Sequence, residues 1–264
     1  MSEFRSPLAP DANAGKVALV TGGGTGIGRA TALELARTGA AVAICGRRPE
    51  PLEATRAAIE AAGGACSALP ADVREPEQVD ALLAGVLERY ERIDVLVNNA
   101  GGQFIAPAED ISPNGWRAVQ RLNVDAVWYL TRAVAAGSMI PTGGGLIVFI
   151  GLSPRRALPG MAHASAARAA VENLGRTLAI EWGRHGIRTV TVTPGVIRTE
   201  GLDGYGEEQV AEWEREVPIG RLGLPEEVAS LIAFLASAGG GYVSGATILV
   251  DGGIDAMGLG RLPS

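Results

Sequence analysis

The sequence is poor in the side chains that many enzymes use for acid–base and nucleophilic chemistry. Its 264 residues include a single lysine, Lys16, and only two histidines and two cysteines. A mechanism that needs a lysine must therefore use Lys16 or do without one. Cys45 and Cys66 stand in apolar or loop sequence without the spacing of metal ligands, so we expect no metal site and two reduced thiols in a cytoplasmic protein.

Basic charge and long apolar runs are also scarce. The net charge of -6 provides no basic surface for nucleic acid, so we do not expect nucleic acid as a partner. No apolar run reaches the roughly 18 residues that a membrane span needs, and we expect no membrane association. Residues 1–13 lack the basic start and apolar centre of a signal peptide. We predict a short disordered leader at residues 1–14.

The residues that are present suffice for one substantial domain, because 47 % are hydrophobic and only 20 % are charged. Apolar stretches of strand length alternate with longer helical patterns, with no linker or short repeat after residue 15. This alternation predicts an α/β fold: a single Rossmann-type, doubly wound parallel sheet of about seven strands with helices on both faces. The predicted strands are 17–21, 41–45, 66–70, 95–98, 146–150, 189–193 and 246–250. The predicted helices are 27–38, 51–62, 75–90, 113–136, 162–184 and 225–236.

The first predicted strand runs directly into a glycine-rich turn and then into a helix. The turn reads Thr-Gly-Gly-Gly-Thr-Gly-Ile-Gly over residues 21–28. Glycines allow backbone N–H groups to approach a pyrophosphate closely, and the helix start adds favourable partial charge. Residues 15–264 are therefore predicted to form a single dinucleotide-binding catalytic domain. The turn residues expected to bind the cofactor are Gly22, Gly24, Thr25, Gly26 and Ile27.

The spacing Gly-x-x-x-Gly-x-Gly resembles that of the short-chain dehydrogenase/reductase family, and the resemblance extends over about residues 15–253. Asp72-Val73 resembles the residue pair that holds the adenine ring in that family. Asn98-Asn99-Ala100-Gly101 resembles the family segment whose backbone lies over the adenosine ribose. Asn123 stands at the helix asparagine of the catalytic tetrad. Residues 194–199 resemble the segment that holds the nicotinamide carboxamide. The resemblance implies further cofactor contacts at Asp72, Val73, Asn99, Ala100, Gly101, Pro194, Gly195, Ile197 and Thr199.

The end of the second predicted strand indicates which dinucleotide is used. An acidic residue there would accept hydrogen bonds from a ribose 2′-hydroxyl and favour NAD. The sequence instead has Arg47 and Arg48, whose guanidinium groups can hold a 2′-phosphate. We expect NADPH rather than NADH, with Arg47 as the main contact.

The catalytic segment departs from the family pattern. Most members carry a serine and then Tyr-x-x-x-Lys, in which the tyrosine transfers the proton and the lysine lowers its pKa and binds the nicotinamide ribose. Here Arg168 stands at the lysine position, Ala164 at the tyrosine position, and Gly151 or Leu152 at the serine position. Carbonyl reduction with a tyrosine as proton donor is therefore disfavoured.

Four segments resemble a branch of the family that reduces acyl thioesters, namely peroxisomal trans-2-enoyl-CoA reductase and, more distantly, 2,4-dienoyl-CoA reductase. Both also lack the tyrosine at the usual place. The resemblance implies that this chain uses NADPH to reduce a carbon–carbon double bond of an enoyl or dienoyl thioester. The segments are residues 99–104, 107–112, 163–168 and 181–183.

Hydride addition to the β-carbon of an enoyl thioester places negative charge on the thioester oxygen, which the site must stabilise. Arg168 supplies positive charge and can bind the cofactor ribose, but it cannot deliver a proton at neutral pH. Asn123 and Arg168 are therefore expected as supporting catalytic residues, and Ser153 or Ser165 as hydrogen-bond donors. His163 is either a general acid or a residue packed at the helix start.

Two other functions stay open at this stage. One is a reductase or dehydrogenase of another carbonyl or alcohol substrate with a non-standard proton donor. The other is a cofactor-binding sensor or subunit that has lost catalysis. The family resemblance further implies a homotetramer built on the helices at 113–136 and 162–184. Arg155 and Arg156 are interpreted either as contacts for a phosphate-bearing carrier such as CoA or as a solvated pair.

Overall fold

Seven parallel strands form one sheet in the order β3-β2-β1-β4-β5-β6-β7. The computed structural model describes residues 4–152 and 158–256, with only the backbone for residues 203–205. Each predicted strand is present within two residues of its predicted bounds, so the predicted fold class is confirmed. The strands are β1 (Val17–Thr21), β2 (Ala41–Gly46), β3 (Cys66–Pro70), β4 (Val95–Asn98), β5 (Gly145–Ile150), β6 (Ile187–Pro194) and β7 (Ala246–Val250).

Helices cover both faces of the sheet, as a doubly wound architecture requires. In β1, Ala18 and Val20 pack against one helical layer while Leu19 packs against the other. Burial on both faces explains why the strands are nearly continuous in apolar residues. The main helices are α1 (Gly26–Arg37), α2 (Pro49–Ala61), α3 (Pro76–Tyr90), α4 (Pro113–Gln120), α5 (Ala126–Val134), α6 (Ile140–Thr142), α7 (Ala162–Gly183), α8 (Glu207–Glu216) and α9 (Pro225–Ala236).

The helix predicted over residues 113–136 differs from the prediction. Helices α4, α5 and α6 form one continuous helix, which two π turns interrupt at Arg121–Asp125 and Ala135–Met139. The second π turn precedes Pro141, whose missing N–H would break an ordinary helical ladder. The first π turn contains Asn123, and such turns often occur at functional sites.

The segment before β1 contacts helices at the edge of the domain. Asn13 is fully buried, and its Nδ2 donates to Thr38 Oγ1 at 2.9 Å and to the Ala233 carbonyl at 3.0 Å.

Cys45 and Cys66 are buried free thiols, and burial raises the pKa of Cys45 to about 12. None of the helices among the described residues combines the length and the hydropathy that a membrane span requires.

The strand order reverses direction between β1 and β4, the neighbouring strands whose following helices lie on opposite faces. In open parallel sheets, ligands bind beyond the carboxyl ends of the strands at such a point. The glycine turn after β1 and the Asn-Asn-Ala-Gly segment after β4 therefore lie side by side.

Candidate cofactor and active site

The glycine turn has the backbone geometry that its sequence predicts. Gly22 and Gly26 have φ of 66° and 52°, in the left-handed region that favours glycine. The N–H groups of Gly22 and Gly23 both donate to the Cys45 carbonyl, at 2.8 and 3.2 Å. The turn is thus fastened to the end of β2 and leads directly into the start of α1.

The neighbouring segment after β4 supports this turn. Thr21 Oγ1 accepts from the N–H groups of Asn99 and Ala100, at 2.9 and 2.8 Å. Asn99 Nδ2 donates back to the Thr21 carbonyl at 2.9 Å. Asn99 therefore fastens the turn to the end of β4 through its side chain, in addition to the cofactor contact predicted for it.

A cavity of about 320 Å³ opens beside the turn, at the carboxyl ends of β1 to β4. Its position at the carboxyl ends of the strands and the backbone N–H groups of the glycine turn fit the adenosine and pyrophosphate of a dinucleotide. The structure brings together in this cavity a large part of the predicted cofactor residues: Gly22, Gly24, Thr25, Arg47, Arg48, Asp72, Val73, Ala100 and Gly101.

The charged side chains at this cavity differ in whether they are already paired. Asp72 forms an ion pair with Arg74, with Nη2 and Oδ2 2.5 Å apart, and this hydrogen bond holds the pKa of Asp72 below its usual value. Arg47 and Arg48 are exposed, and neither forms an ion pair with any described residue. Two guanidinium groups are thus available to an anionic ligand.

The segment after β6 reaches the glycine turn from the other side. Gly195, which follows Pro194, donates to the Val250 carbonyl at 2.9 Å, and Ile197 pairs with Gly223. A Cβ at Gly26 would lie 3.3 Å from Thr199 Cγ2. The predicted nicotinamide segment and the predicted phosphate turn therefore meet at the start of α1, where Gly26 and Ile27 lie.

Glu200 is a site residue that the sequence did not predict. Its Oε2 accepts from the Gly26 N–H at 3.2 Å, at the helix start expected to receive the cofactor pyrophosphate. The contact joins residues 174 positions apart in the chain. Nothing in the local sequence around Glu200 indicates this contact.

Replacing Glu200 by glutamine is expected to tighten NADPH binding about fivefold. The carboxylate competes with the pyrophosphate for the same N–H group, and an anion at a helix start contributes about 1 kcal/mol. Titration of NADPH by fluorescence measures the change. Glu226→Gln is the matched control, because Glu226 lines the same cleft without contacting Gly26. Unchanged or weaker binding in Glu200→Gln would contradict the competition.

Asn123 and Arg168 meet at Gly101 and Gly102. Asn123 is buried, and its Nδ2 donates to the carbonyls of Gly102 and Val119, each at 2.9 Å. Its Oδ1 accepts from the Gly102 N–H at 3.3 Å. All of these partners are backbone groups, so the Asn123 side chain fixes the loop after β4.

The Arg168 guanidinium lies over Gly101, where an added Cβ would be 2.0 Å from Arg168 Nη2. Arg168 Nη1 donates to the Ile150 carbonyl at the end of β5, at 2.6 Å. Burial lowers the pKa of Arg168 to about 10. That value keeps the group charged at neutral pH, so the site contains a fixed positive charge and no proton donor at this position.

The place of the family tyrosine is apolar. Ala164 is 2 % exposed and packs in one apolar cluster with Val119, Ala167 and Leu152. Leu152 is one of the two candidates, with Gly151, for the serine position. Ser165 follows on α7 and is half-buried. Ser153, Arg155 and Arg156 lie outside the described residues.

Lys16 does not replace the missing lysine. It directly precedes β1 and so lies at the amino ends of the strands, whereas the cavity lies at their carboxyl ends. Its Nζ donates to the Ala236 carbonyl. Burial and the nearby Arg188 lower the pKa of Lys16. The candidate active site therefore contains no lysine.

Thr193 is a second residue that the sequence did not single out. Its Oγ1 is buried and has no hydrogen-bond partner among the described residues. A Cβ at Gly151 would lie 2.5 Å from this oxygen. The Thr193 hydroxyl thus lies where a side chain at position 151 would extend, beside the strand end that Arg168 contacts.

Comparison with known proteins gives a consistent family and a range of substrates. The family described as Enoyl-(Acyl carrier protein) reductase matches residues 22–255. A probable 2,4-dienoyl-CoA reductase of Bacillus subtilis is 38 % identical over 243 residues, covering 90 % of this chain and 96 % of that protein. A gluconate 5-dehydrogenase of Gluconobacter oxydans is 38 % identical over 243 residues, covering 91 % and 94 %. The crystal structure of a putative NAD(P)-dependent gluconate 5-dehydrogenase from Beutenbergia cavernae, with bound NADP, has a TM-score of 0.88 at 36 % identity and covers 94 % of this chain and 100 % of its own.

Proposed function

Because the chain belongs to the short-chain dehydrogenase/reductase family of NAD(P)-dependent oxidoreductases, we propose that it reduces the carbon–carbon double bond of an enoyl or dienoyl thioester with NADPH. The observation that carries this proposal is the pair Ala164 and Arg168. The position of the proton-donating tyrosine is a buried methyl group, whereas the positive charge four residues later is retained.

This combination suits conjugate reduction better than carbonyl reduction. An alkoxide formed from a ketone needs a strong proton donor at the oxygen. A conjugated thioester instead needs its oxygen stabilised while charge is delocalised onto it, which a fixed cation and hydrogen-bond donors achieve. Bound NADPH would supply the hydride. Arg168, Asn123 and the glycine turn would then orient the cofactor and maintain the positive potential.

The loop after β4 favours an acyl chain over a sugar acid. Phe104 and Ile105 are 39 % and 55 % exposed on this loop. Ala106 donates to the Gly160 carbonyl at 3.0 Å, which holds the loop against the start of α7. An apolar surface here buries a hydrocarbon favourably, whereas a polyhydroxy acid would leave its hydroxyls without partners. We therefore assign the dienoyl-CoA reductase relatives more weight than the gluconate dehydrogenases.

The proposal is tested by following NADPH absorbance with purified protein and a panel of substrates. Crotonyl-CoA, a longer enoyl-CoA and a 2,4-dienoyl-CoA are expected to be reduced, whereas gluconate with NADP is not expected to be oxidised. Preferred turnover of gluconate, or of a 3-oxoacyl thioester, would contradict the proposal. Tight NADPH binding with no turnover of any substrate would favour a non-catalytic sensor or subunit.

We also propose a homotetramer built on the helices α4, α5 and α7. Large apolar side chains are exposed on these helices, and association of subunits would bury them. Light scattering is expected to give four times the mass of the chain, 27.1 kDa, and a monomer would contradict the assembly. The exposed side chains are Trp116 at 41 %, Trp128 at 37 %, Tyr129 at 45 % and Ile180 at 84 %.

A further inference from the structure

The imidazole of His163 is buried without a hydrogen-bond partner. His163 lies in the first turn of α7 with no exposed surface, and neither ring nitrogen has a partner among the described residues. Its ring meets that of Phe104 edge-on, with the centroids 4.2 Å apart and the planes at 66°. Only its backbone is engaged, since the His163 carbonyl accepts from Gln120 Nε2 at 3.1 Å.

Packing alone gives no reason for a histidine at this position. Folded proteins leave very few buried polar atoms unsatisfied, and each one costs folding free energy. The side chains of Val119 on α4 and of Ala164 and Ala167 on α7 form an apolar cluster beside this turn. A leucine would fill similar space in such surroundings without burying two unpaired nitrogens. The imidazole of His163 therefore points to a ligand, with which it would form a hydrogen bond on binding.

The position of His163 connects it with the proposed reaction. It precedes Ala164, which occupies the place of the family tyrosine. Its ring lies beneath Phe104, in the loop that begins at Gly102 and is anchored there by Asn123. Because Phe104 is 39 % exposed, an apolar substrate that approaches from solvent can contact this ring and displace it.

We propose that His163 donates a hydrogen bond to the carbonyl oxygen of the substrate thioester, once the acyl chain has displaced the Phe104 ring. This inference rests on the proposed function. Hydride from NADPH forms a C–H bond at the β-carbon, the double-bond electrons move toward the thioester oxygen, and NADPH becomes NADP. An N–H of the His163 imidazole stabilises the resulting enolate oxygen. A proton from water then adds to the α-carbon and restores the carbonyl.

The proposal predicts opposite effects of one substitution on stability and on activity. His163→Leu is expected to melt at the same or a higher temperature, because it removes unpaired buried nitrogens. Its kcat for an enoyl-CoA is expected to fall by about 10²-fold, the loss typical of a missing oxyanion donor. NADPH affinity is expected to stay within twofold of that of the wild type. His163→Gln, whose amide can still donate a hydrogen bond, is expected to have a kcat at least tenfold higher than that of His163→Leu.

His185→Leu is the control, since His185 lies at the far end of α7 beside Arg184 and is expected to leave kcat unchanged. A leucine variant at position 163 with wild-type kcat would show that the imidazole only packs, and would overturn the inference. A leucine variant that melts at a lower temperature would overturn its premise that the nitrogens are unsatisfied. If the wild type reduces no enoyl or dienoyl thioester, the proposed function fails first, which the same assay shows without any variant.

Discussion

Replacing Gly28 by alanine is expected to destroy the cofactor site. A methyl group at this position would lie 2.2 Å from the Gly22 carbonyl oxygen and 2.5 Å from Asn99 Nδ2. Neither atom can retreat easily, because the Gly22 N–H is bonded to the Cys45 carbonyl at 2.8 Å and Asn99 Nδ2 to the Thr21 carbonyl at 2.9 Å. The turn must therefore open for the methyl group to fit.

Two measurements follow from this steric conflict. Overpacking of this kind costs about 1–3 kcal/mol of folding free energy, which thermal unfolding detects. A displacement of about 1 Å in the cofactor is expected to lower kcat/KM by about 10²-fold. Gly183→Ala is the matched control: it is also a helical glycine, but nothing lies within 4 Å of its added Cβ. That variant should gain about 0.5–1 kcal/mol. Wild-type NADPH binding by Gly28→Ala would contradict the account of the turn.

Removing both guanidinium groups at the end of β2, in Arg47→Ala/Arg48→Ala, is expected to reverse the cofactor preference. Each charge-assisted hydrogen bond to a 2′-phosphate contributes about 1.5–3 kcal/mol. Loss of two such bonds, about 3–6 kcal/mol in total, should lower kcat/KM for NADPH by about 10²–10⁴-fold. NADH has no 2′-phosphate, so its kcat/KM should change little. Arg47→Ala alone should cause the larger part of this loss of kcat/KM for NADPH.

The comparison requires kcat/KM for both cofactors in the wild type and each variant. Arg184→Ala serves as the control, since Arg184 is an exposed arginine that contacts His185 away from the cavity. Salt should weaken NADPH binding to the wild type more than to the double variant, because the contacts are partly exposed. A wild type that prefers NADH, or a double variant that keeps its NADPH preference, would show that these arginines do not select the cofactor.

The strands were predictable because their burial leaves a direct signal in the sequence. Leu19 faces one helical layer while Ala18 and Val20 face the other, so β1 must be apolar throughout. The π turn around Asn123 leaves no such signal. A π turn differs from an ordinary helical turn in having one extra residue, so that each N–H bonds to a carbonyl one residue further back. Many residue types fit both kinds of turn, so the sequence does not distinguish them.

The cofactor site was predictable as far as its contacts are local. The glycine turn is a short segment whose backbone geometry requires glycine, so the motif alone indicates it. Glu200 and Thr193 depend instead on neighbours distant in the sequence, Gly26 and Gly151 respectively. The missing partners of His163 are likewise a property of the packed structure, since a histidine beside a helix start is more often satisfied than not.

The isolation of Lys16 has a practical consequence for handling the protein. Amine-directed reagents find one side-chain target in the whole sequence. That amine is at the amino ends of the strands, and its lowered pKa increases the fraction present as the reactive free base. A dye, a biotin or a solid support coupled to Lys16 would leave the carboxyl ends of the strands open. Surface attachment through this residue is thus compatible with cofactor exchange and turnover.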